Sequence, residues 1–305
     1  MVSIVIPNYC HARFLDERIQ SVLDQTYQDF ELIILDDCSQ DGGASRGIIE
    51  QYRHDPHVSH IVYNDVNSGS AFRQWRKGME LAHGEYIWIA ESDDSCDSTL
   101  LEKLVDVITR EEGVMAFCRS VKYDEHGVKS YYALQDCLTD DFTMDGRCFV
   151  EAYLVNWNRV ANASSVVFRR DAALAVDTCY MQMRGEGDYL FWIMLAEKGK
   201  VSFVNQELNY FRFHAENTTK TSVCSGTGVK EHKSVYDYLV NGGYLSGRRK
   251  HKKRMKATHL AQVTAPDCLT RCELMRLWDP YHTYRTLYLL AHAKGRIVDW
   301  IKNRF

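Results

Sequence analysis

Along the first 120 residues, short apolar runs alternate with segments whose apolar residues recur every three or four positions. The apolar runs predict strands at residues 2–6, 30–35, 58–63, 86–90 and 114–118. The helical spacing predicts intervening helices at residues 14–23, 48–53, 71–82 and 100–108. Strands that alternate with helices in this way predict an α/β fold, with a mainly parallel central sheet and helices on both faces.

Polar side chains follow three of the predicted strands at the point where each strand ends. The first strand is followed by Pro7, Asn8 and Tyr9, and carboxylates are concentrated at residues 36–41 and 91–94. Ligands of parallel α/β sheets bind outside the carboxyl ends of the strands. Carboxylates gathered at one edge repel each other unless a cation lies between them, and hard oxygen ligands suit Mg²⁺ or Mn²⁺. The pattern therefore predicts a divalent metal that would bridge to phosphate.

Two later segments add candidate chemistry. Residues 209–214 alternate as a strand does, which predicts Tyr210, Arg212 and His214 on one face. An arginine and a histidine presented together can hold a diphosphate or complete a metal shell. Asp188 directly precedes an apolar run. From the residues alone it is either the N-cap of a helix or a general base, and both interpretations stay open.

Length and composition exclude several classes of protein. The chain has 305 residues, 45% of them hydrophobic and 26% charged, which excludes a disordered chain and a small disulfide scaffold. No apolar run approaches the roughly 20 residues that span a bilayer, and the start of the chain lacks the charged segment of a signal peptide. The ten cysteines are scattered without a C-x-x-C pair, as is typical of a reducing compartment. A cytoplasmic location is predicted, unless the chain is a piece of a longer protein.

Charge is distributed unevenly along the chain. Residues 245–305 carry 14 Lys or Arg against 4 Asp or Glu, a net charge of +10, so the net charge of −4 leaves −14 for the preceding residues. A basic, mostly helical C-terminal region, 226–305, is therefore predicted, and residues 248–305 are predicted to dock on an anionic membrane surface at the inner face of the cell membrane. Nucleic acid is the less favoured anionic partner. The alternative is that an apolar stripe between residues 284 and 301 packs on the catalytic domain or on a second subunit.

Five ordered segments together carry a resemblance to a known family. They are VSIVIPNY from residue 2, SVLDQTY from residue 21, DDCSQDG from residue 36, GEYIWIAESDD from residue 84, and Gly187-Asp188 before an apolar helix. In this order and spacing the chain resembles family 2 glycosyltransferases of the GT-A fold over residues 2–219. The resemblance implies a catalytic domain at 1–225, with a nucleotide-sugar-binding half at 1–120 and an acceptor-side half at 121–225.

The resemblance also implies roles for single residues of the donor site. Pro7 and Tyr9 would flank the base and ribose, and Asp37 would accept a hydrogen bond from the base. Glu91, which fills the first position of the family's D-x-D motif, would reach the ribose or a metal-bound water, and Ser92 lies beside it. Arg212 would hold the donor diphosphate.

The metal and the base are implied in the same way. Asp93 and His214 would be the ligands of Mn²⁺ or Mg²⁺, and Asp188 would be the general base. Asp94 is interpreted instead as a cap for the helix that begins near Ser98.

The predicted function is inverting transfer of a sugar from a nucleotide diphosphate donor, UDP or dTDP favoured, to a hydroxyl of a glycan or lipid-linked glycan. Bacterial surface polysaccharide or glycoconjugate assembly is the predicted setting, and an oligomer is compatible with the sequence. The alternative is a catalytically inactive nucleotide-sugar or glycan-binding module, which the intact Asp37, Asp93 and Asp188 disfavour. A dinucleotide-dependent oxidoreductase would need a G-x-G-x-x-G segment after the first strand, where Pro7-Asn8-Tyr9 stands.

Overall fold

The computed structural model describes residues 1–124, 127, 129–214, 227–264 and 267–279. The chain divides into two compact units, residues 1–215 and 216–305. The predicted division between residues 225 and 226 falls in the segment 215–226, which lies outside the described residues.

The described part of the first unit is built on one sheet of ten strands. The strands are β1 (Val2–Asn8), β2 (Phe30–Asp36), β3 (Val58–Tyr63), β4 (Tyr86–Ile89), β5 (Ser95–Cys96), β6 (Met115–Asp124), β7 (Lys129–Tyr131), β8 (Phe142–Asp145), β9 (Val166–Arg169) and β10 (Lys200–Phe213). Their order is β3-β2-β1-β4-β9-β6-β10-β5, with β7 on β6 and β8 on β10. β3, β2, β1 and β4 pair in parallel, β9 is antiparallel to both of its neighbours, and β6 and β10 are parallel again. The predicted sheet of mainly parallel strands is confirmed.

Helices of the first unit connect the strands and cover both faces of the sheet. They are α1 (Ala12–Leu23), α2 (Ala44–Gln51), α3 (Ala71–Leu81), α4 (Leu100–Arg110), α5 (Gly146–Phe149), α6 (Arg170–Leu174) and α7 (Gly187–Ala196). Every residue of β1 and β2 is buried, as expected of strands that are covered on both faces.

Each face of the sheet has its own packing. On one face, Ile4 and Trp88 pack with apolar residues of α1, α2 and α4 in one buried cluster. On the other face, Phe168 meets an aromatic group of α3 and α7, in which the ring centroids of Trp75 and Trp192 lie 5.9 Å apart. Because the two faces are both filled, the strand ends are the part of the sheet that remains for polar chemistry.

The predicted boundaries agree with the structure at some elements and differ at others. β3 begins and ends at the predicted residues, whereas α2 begins at Ala44, four residues before the predicted start. The carboxylate of Asp41 accounts for the earlier start, because it accepts hydrogen bonds from Ser45 N at 3.0 Å and Ser45 Oγ at 2.5 Å. Side-chain bonds of this kind are not visible in apolar periodicity.

The second unit contains three described helices, α8 (Thr227–Asn241), α9 (Gly247–Thr264) and α10 (Cys268–Trp278). Trp278 is fully buried and donates from Nε1 to the carbonyl of Val229 at 3.0 Å. Within the basic run of α9, Lys253 is buried and Arg254 Nε donates to the Trp278 carbonyl. The predicted apolar stripe from residue 284 onward lies outside the described residues. Among those described, no helix has both the length and the apolar character needed to cross a bilayer.

Candidate active site

The carboxyl ends of β1, β2 and β4 meet at one edge of the sheet. Asn8 pairs with Asp36 across β1 and β2, and Val5 pairs with Ile89 across β1 and β4. The backbone N–H of Ala90 still donates to the carbonyl of Val5, at 2.8 Å. The polar segments that follow these three strands therefore leave the sheet side by side, as the sequence predicts.

Asp93 lies in contact with the end of β10. Its Oδ2 is 3.0 Å from Nε2 of His214, which is 4% exposed. The other ring nitrogen of His214 lies 3.4 Å from a guanidinium nitrogen of Arg13. Burial acts to raise the pKa of Asp93, but the hydrogen bond with His214 and the nearby charge of His11 hold that pKa below its ordinary value. The carboxylate of Asp93 is therefore ionised near neutral pH.

His11 completes a group of three potential metal ligands with Asp93 and His214. One ligand atom from each of the three residues lies within 4.8 Å of the other two. The Nδ1 atom of His11 is 2.9 Å from the hydroxyl of Ser92. Imidazole nitrogens and a carboxylate oxygen at this spacing are a donor set that fits a divalent metal ion.

Arg212 connects the turn that contains Asp93 to helix α1. Its Nε donates to the carbonyl of Asp93 at 2.8 Å, and a terminal nitrogen donates to Glu17 at 2.5 Å. The guanidinium also lies over the rings of Phe14 and Tyr123, 4.6 and 4.3 Å from their centroids. These contacts position Arg212 beside Asp93, and its predicted role toward the diphosphate stays a prediction.

Asp94 has a different role from the one predicted. Its carboxylate accepts hydrogen bonds from Asn162, from Ser164 Oγ at 2.7 Å and from the backbone N–H of Arg212 at 3.0 Å. Burial, and then the negative charge of Asp93, raises the pKa of Asp94 to about 7. Asp94 thus joins the segment before β9 to the end of β10.

The interpretation of Asp94 as a helix cap is therefore wrong. Helix α4 begins at Leu100, and the carboxylate at its start is that of Asp97, which accepts from Thr99 N at 2.9 Å and from Thr99 Oγ1 at 2.6 Å. The two aspartates are three positions apart, and only the folded structure shows which one meets the helix.

Glu91 lies against α3. Its Oε1 accepts a hydrogen bond from Nε1 of Trp75 at 2.8 Å, and its own backbone N–H donates to Ser164 Oγ at 3.1 Å. Burial, followed by repulsion from Asp93, raises the pKa of Glu91 to about 8. A protonated Glu91 near neutral pH can donate a hydrogen bond as well as accept one, which suits contact with a sugar hydroxyl.

The side chain of Asp37 is 5% exposed and holds the loop before α3. Its carboxylate accepts from Asn64 at 2.6 Å, from Gln74 at 2.9 Å, and from both the backbone and the hydroxyl of Ser68. These donors use most of the lone pairs of a carboxylate. Two other residues are predicted to contact the nucleotide sugar. Pro7 is buried within β1, and Tyr9 is 45% exposed where that strand ends.

Asp188 lies in the first turn of α7, one residue after the helix begins. Asn158 donates to its Oδ2 at 3.1 Å, and the backbone N–H of Tyr189 donates to its Oδ1 at 2.7 Å. Burial, and then the charge of Glu186, raises the pKa of Asp188 to about 7. The N-cap position is occupied by Glu186, so Asp188 is not the N-cap.

Gly187, which separates these two acids, is required by packing. A Cβ at this position would lie 2.5 Å from Cε2 of Phe72 and 2.7 Å from the carbonyl oxygen of Tyr180. The start of α7 can approach α3 this closely only because residue 187 has no side chain.

Four further side chains contribute to the site and are not among the residues predicted from the sequence: His11, Trp75, Asn158 and Arg18. Arg18 is fully buried, with its guanidinium 4.9 Å from the Trp88 ring centroid, and its charge opposes the rise in the pKa of Asp94. Only His11 among these four could have been found from the sequence, because it lies three residues after β1, close to the edge where ligands are expected.

The comparisons with known proteins agree with this geometry. A family model described as glycosyl transferase family 2 matches residues 3–174, which is more than half of the chain. The chain belongs to glycosyl transferase family 2. The predicted family, and with it the assignment to glycosyltransferase enzymes, is confirmed.

Three proteins illustrate the similarity of this family 2 chain. TuaG of Bacillus subtilis, which is named for teichuronic acid biosynthesis, is 35% identical over 117 residues, covering 38% of this chain and 45% of TuaG. TarS of Staphylococcus aureus in complex with UDP has a TM-score of 0.60 at 15% identity, covering 85% of this chain and 70% of TarS. The mannosyltransferase PcManGT of Pyrobaculum calidifontis, solved with GDP-Man and Mn²⁺, has a TM-score of 0.57 at 15% identity, covering 98% and 87%. The two structures confirm the predicted GT-A fold.

Proposed function

We propose that this family 2 glycosyltransferase transfers a sugar, with inversion, from a UDP- or dTDP-linked donor to a hydroxyl of a glycan or lipid-linked glycan acceptor. The observation that carries the proposal is the contact between Asp93 and His214 beside the carboxyl ends of β1, β2 and β4. TarS in complex with UDP supports a uridine donor.

Asp93 and His214 would hold a divalent ion, Mn²⁺ or Mg²⁺, at this edge. PcManGT, a protein of the same fold, was solved with Mn²⁺. When bound, such an ion neutralises the negative charge that develops on a departing diphosphate. Arg212, which donates a hydrogen bond to the Asp93 carbonyl, would place a second positive charge next to the diphosphate.

Asp188 would take the proton of the acceptor hydroxyl as that oxygen attacks the anomeric carbon. A pKa of about 7 suits this role, because a general base works best when its pKa is near the operating pH. Asn158 donates to Oδ2, and the Tyr189 backbone donates to Oδ1. These two bonds would hold the carboxylate in one orientation while one of its remaining lone pairs receives the proton.

The donor nucleotide would lie along the ends of β1 and β2. Pro7 and Tyr9 would flank the base and ribose, with Asp37 accepting from the base at its remaining acceptor position. Glu91 would contact the ribose and Ser92 would line the donor site. The hydrogen bonds that Asp37 receives from the loop before α3 support a preformed donor pocket.

The proposed setting is bacterial surface polysaccharide or glycoconjugate assembly in the cytoplasm, at the inner face of the membrane. The name of TuaG supports a polymer of the cell surface. The basic run 248–256 of α9 supports attraction to an anionic membrane, since Arg248, Arg249 and Lys252 are exposed.

A screen of nucleotide sugars tests the proposal. Hydrolysis of each donor in the absence of acceptor, and thermal stabilisation by each donor, are measured with Mn²⁺, with Mg²⁺ and with EDTA. We expect one UDP- or dTDP-linked sugar to be hydrolysed only with metal. If a donor raised the melting temperature and none was hydrolysed or transferred, the inactive nucleotide-sugar-binding module would be favoured over the enzyme. If no donor was hydrolysed and none changed the melting temperature, the proposed nucleotide-sugar donor would be wrong.

A further inference from the structure

We propose that His11 is the third protein ligand of the metal site, which makes the donor set two imidazoles and one carboxylate and makes the site selective for transition metals such as Mn²⁺ over Mg²⁺. The inference rests on the proposed metal-dependent function and extends it to a residue outside the five segments that carry the family resemblance.

The geometry places His11 in the ligand group. One ligand atom each of His11, Asp93 and His214 lies within 4.8 Å of the other two, a spacing that one ion can bridge. The rings of His11 and His214 are nearly perpendicular, at 87°, with centroids 5.7 Å apart. His11 lies at the start of α1, Asp93 in the turn between β4 and β5, and His214 directly after β10, so three separate segments contribute to the site.

The position of His11 is fixed by the turn that precedes it. Cys10 has a φ of +57°, a left-handed conformation that turns the chain from β1 into α1. The Cys10 backbone N–H donates to Ser39 Oγ at 2.8 Å, and the N–H of Gln40 donates to Cys10 Sγ at 3.2 Å. These bonds hold an unfavourable backbone conformation in place, which is typical of positions that present a functional side chain.

The imidazole of His11 is oriented by Ser92 rather than used for helix capping. Although His11 is the N-cap residue of α1, its side chain makes no capping hydrogen bond. Instead, Nδ1 is 2.9 Å from the Ser92 hydroxyl, one residue before the ligand Asp93. A hydrogen bond to one ring nitrogen fixes the orientation of the imidazole, as outer contacts do for metal-binding histidines, which bind the metal through the other nitrogen.

The chemistry of the donor set gives the selectivity. Mg²⁺ prefers oxygen ligands and gives up its waters reluctantly, whereas imidazole nitrogen suits transition-metal ions. A site with the Asp93 carboxylate and a single imidazole would discriminate less between the two ions. With two imidazoles, the site should bind Mn²⁺ well in the presence of Mg²⁺, and Co²⁺ should displace Mn²⁺ because it forms stronger bonds to nitrogen.

Binding of Mn²⁺ to the full-length protein, without any nucleotide, tests the inference. Free Mn²⁺ is measured by electron paramagnetic resonance, and the nitrogen couplings of the bound ion are measured by electron spin-echo modulation. The variants are His11→Asn and, as matched control, His54→Asn, which changes an exposed histidine remote in sequence from the ligand group. Asparagine is a favourable N-cap residue, so His11→Asn should preserve the start of α1.

We expect His11→Asn to raise the dissociation constant for Mn²⁺ at least about tenfold and to reduce the nitrogen modulation from two imidazoles to one, with His54→Asn unchanged. A tenfold excess of Mg²⁺ should leave most of the Mn²⁺ bound to the wild-type protein. The inference is overturned if His11→Asn keeps the wild-type affinity and nitrogen modulation, or if Mg²⁺ displaces Mn²⁺ at equal concentration. Donor hydrolysis that persists in EDTA would instead overturn the proposed metal-dependent function itself.

Discussion

Replacement of Asp188 by asparagine tests whether Asp188 acts as the catalytic base or has only a structural role. Asparagine keeps the shape of the side chain and can still accept from the Tyr189 backbone, but it cannot take a proton from a hydroxyl. We expect turnover to fall by at least about 10²-fold while the affinity for the donor stays nearly unchanged. The loss belongs to the chemical step, because Asp188 is not among the predicted donor contacts.

The pH dependence of turnover follows from the same pKa. With a pKa of about 7, Asp188 is protonated in acid and ionised in base, so wild-type turnover should rise with pH through about 7 and then level off. The asparagine variant has no group to ionise at this position. Its residual turnover should lack that rising limb.

Stability provides an independent measure of the same group. Because the folded-state pKa of Asp188 is raised from 3.8 to about 7, folding favours the protonated form. The contribution of Asp188 to wild-type stability should therefore fall as pH rises between about 4 and 7, by at most about 4 kcal/mol for this difference in pKa. Residue 188 of the variant does not titrate. The unfolding free energy of the variant should therefore rise relative to that of the wild-type protein over this pH range, and the difference should be constant above it.

The assays are single-turnover transfer between pH 5 and 9 and urea unfolding at pH 4, 6 and 8. Asp177→Asn is the matched control, because the Asp177 carboxylate accepts from the Cys179 backbone at the start of a short helix and is not among the proposed site residues. The control should keep wild-type turnover. Turnover of Asp188→Asn within a factor of about three of wild type, with the pH limb intact, would refute the assignment of Asp188 as the base.

Three further predictions concern the metal, the start of α7 and the basic helix. Asp93→Ala should abolish transfer with its far-ultraviolet circular dichroism unchanged, and full activity of this variant in EDTA would contradict the metal assignment. Gly187→Ala should lower the unfolding free energy by about 1–3 kcal/mol in urea titrations, because the added Cβ would lie 2.5 Å from Phe72; an unchanged value would mean that α7 moves at little cost. Changing three exposed basic residues to serine should reduce co-sedimentation with anionic liposomes at low salt, at about 1 kcal/mol per charge, whereas equal sedimentation would argue against membrane docking through Arg248, Arg249 and Lys252.

Apolar periodicity was sufficient to predict most of the fold. Residues 58–63 were predicted as a strand and form β3, and the strand-helix alternation predicted parallel pairing with helices on both faces. Periodicity reports burial, which is a property of each short segment, so it can be read before any contact between segments is known. It could not place the start of α2, which depends on the side-chain bonds of Asp41 to Ser45.

The candidate site divides in the same way. The order of motifs was enough to name Asp93, His214 and Asp188, since their residue types and spacing carry the family resemblance. Only the tertiary structure shows that His11 lies close to Asp93 and His214. Their proximity depends on the strand register and on contacts between segments that are distant in sequence. The structure also shows that Asp94 accepts a hydrogen bond from the end of β10 and does not cap α4. Burial of Asp188, which raises its pKa, is likewise visible only in the structure. Burial and long-range contact are properties of the packed chain, and no local pattern of residues specifies them.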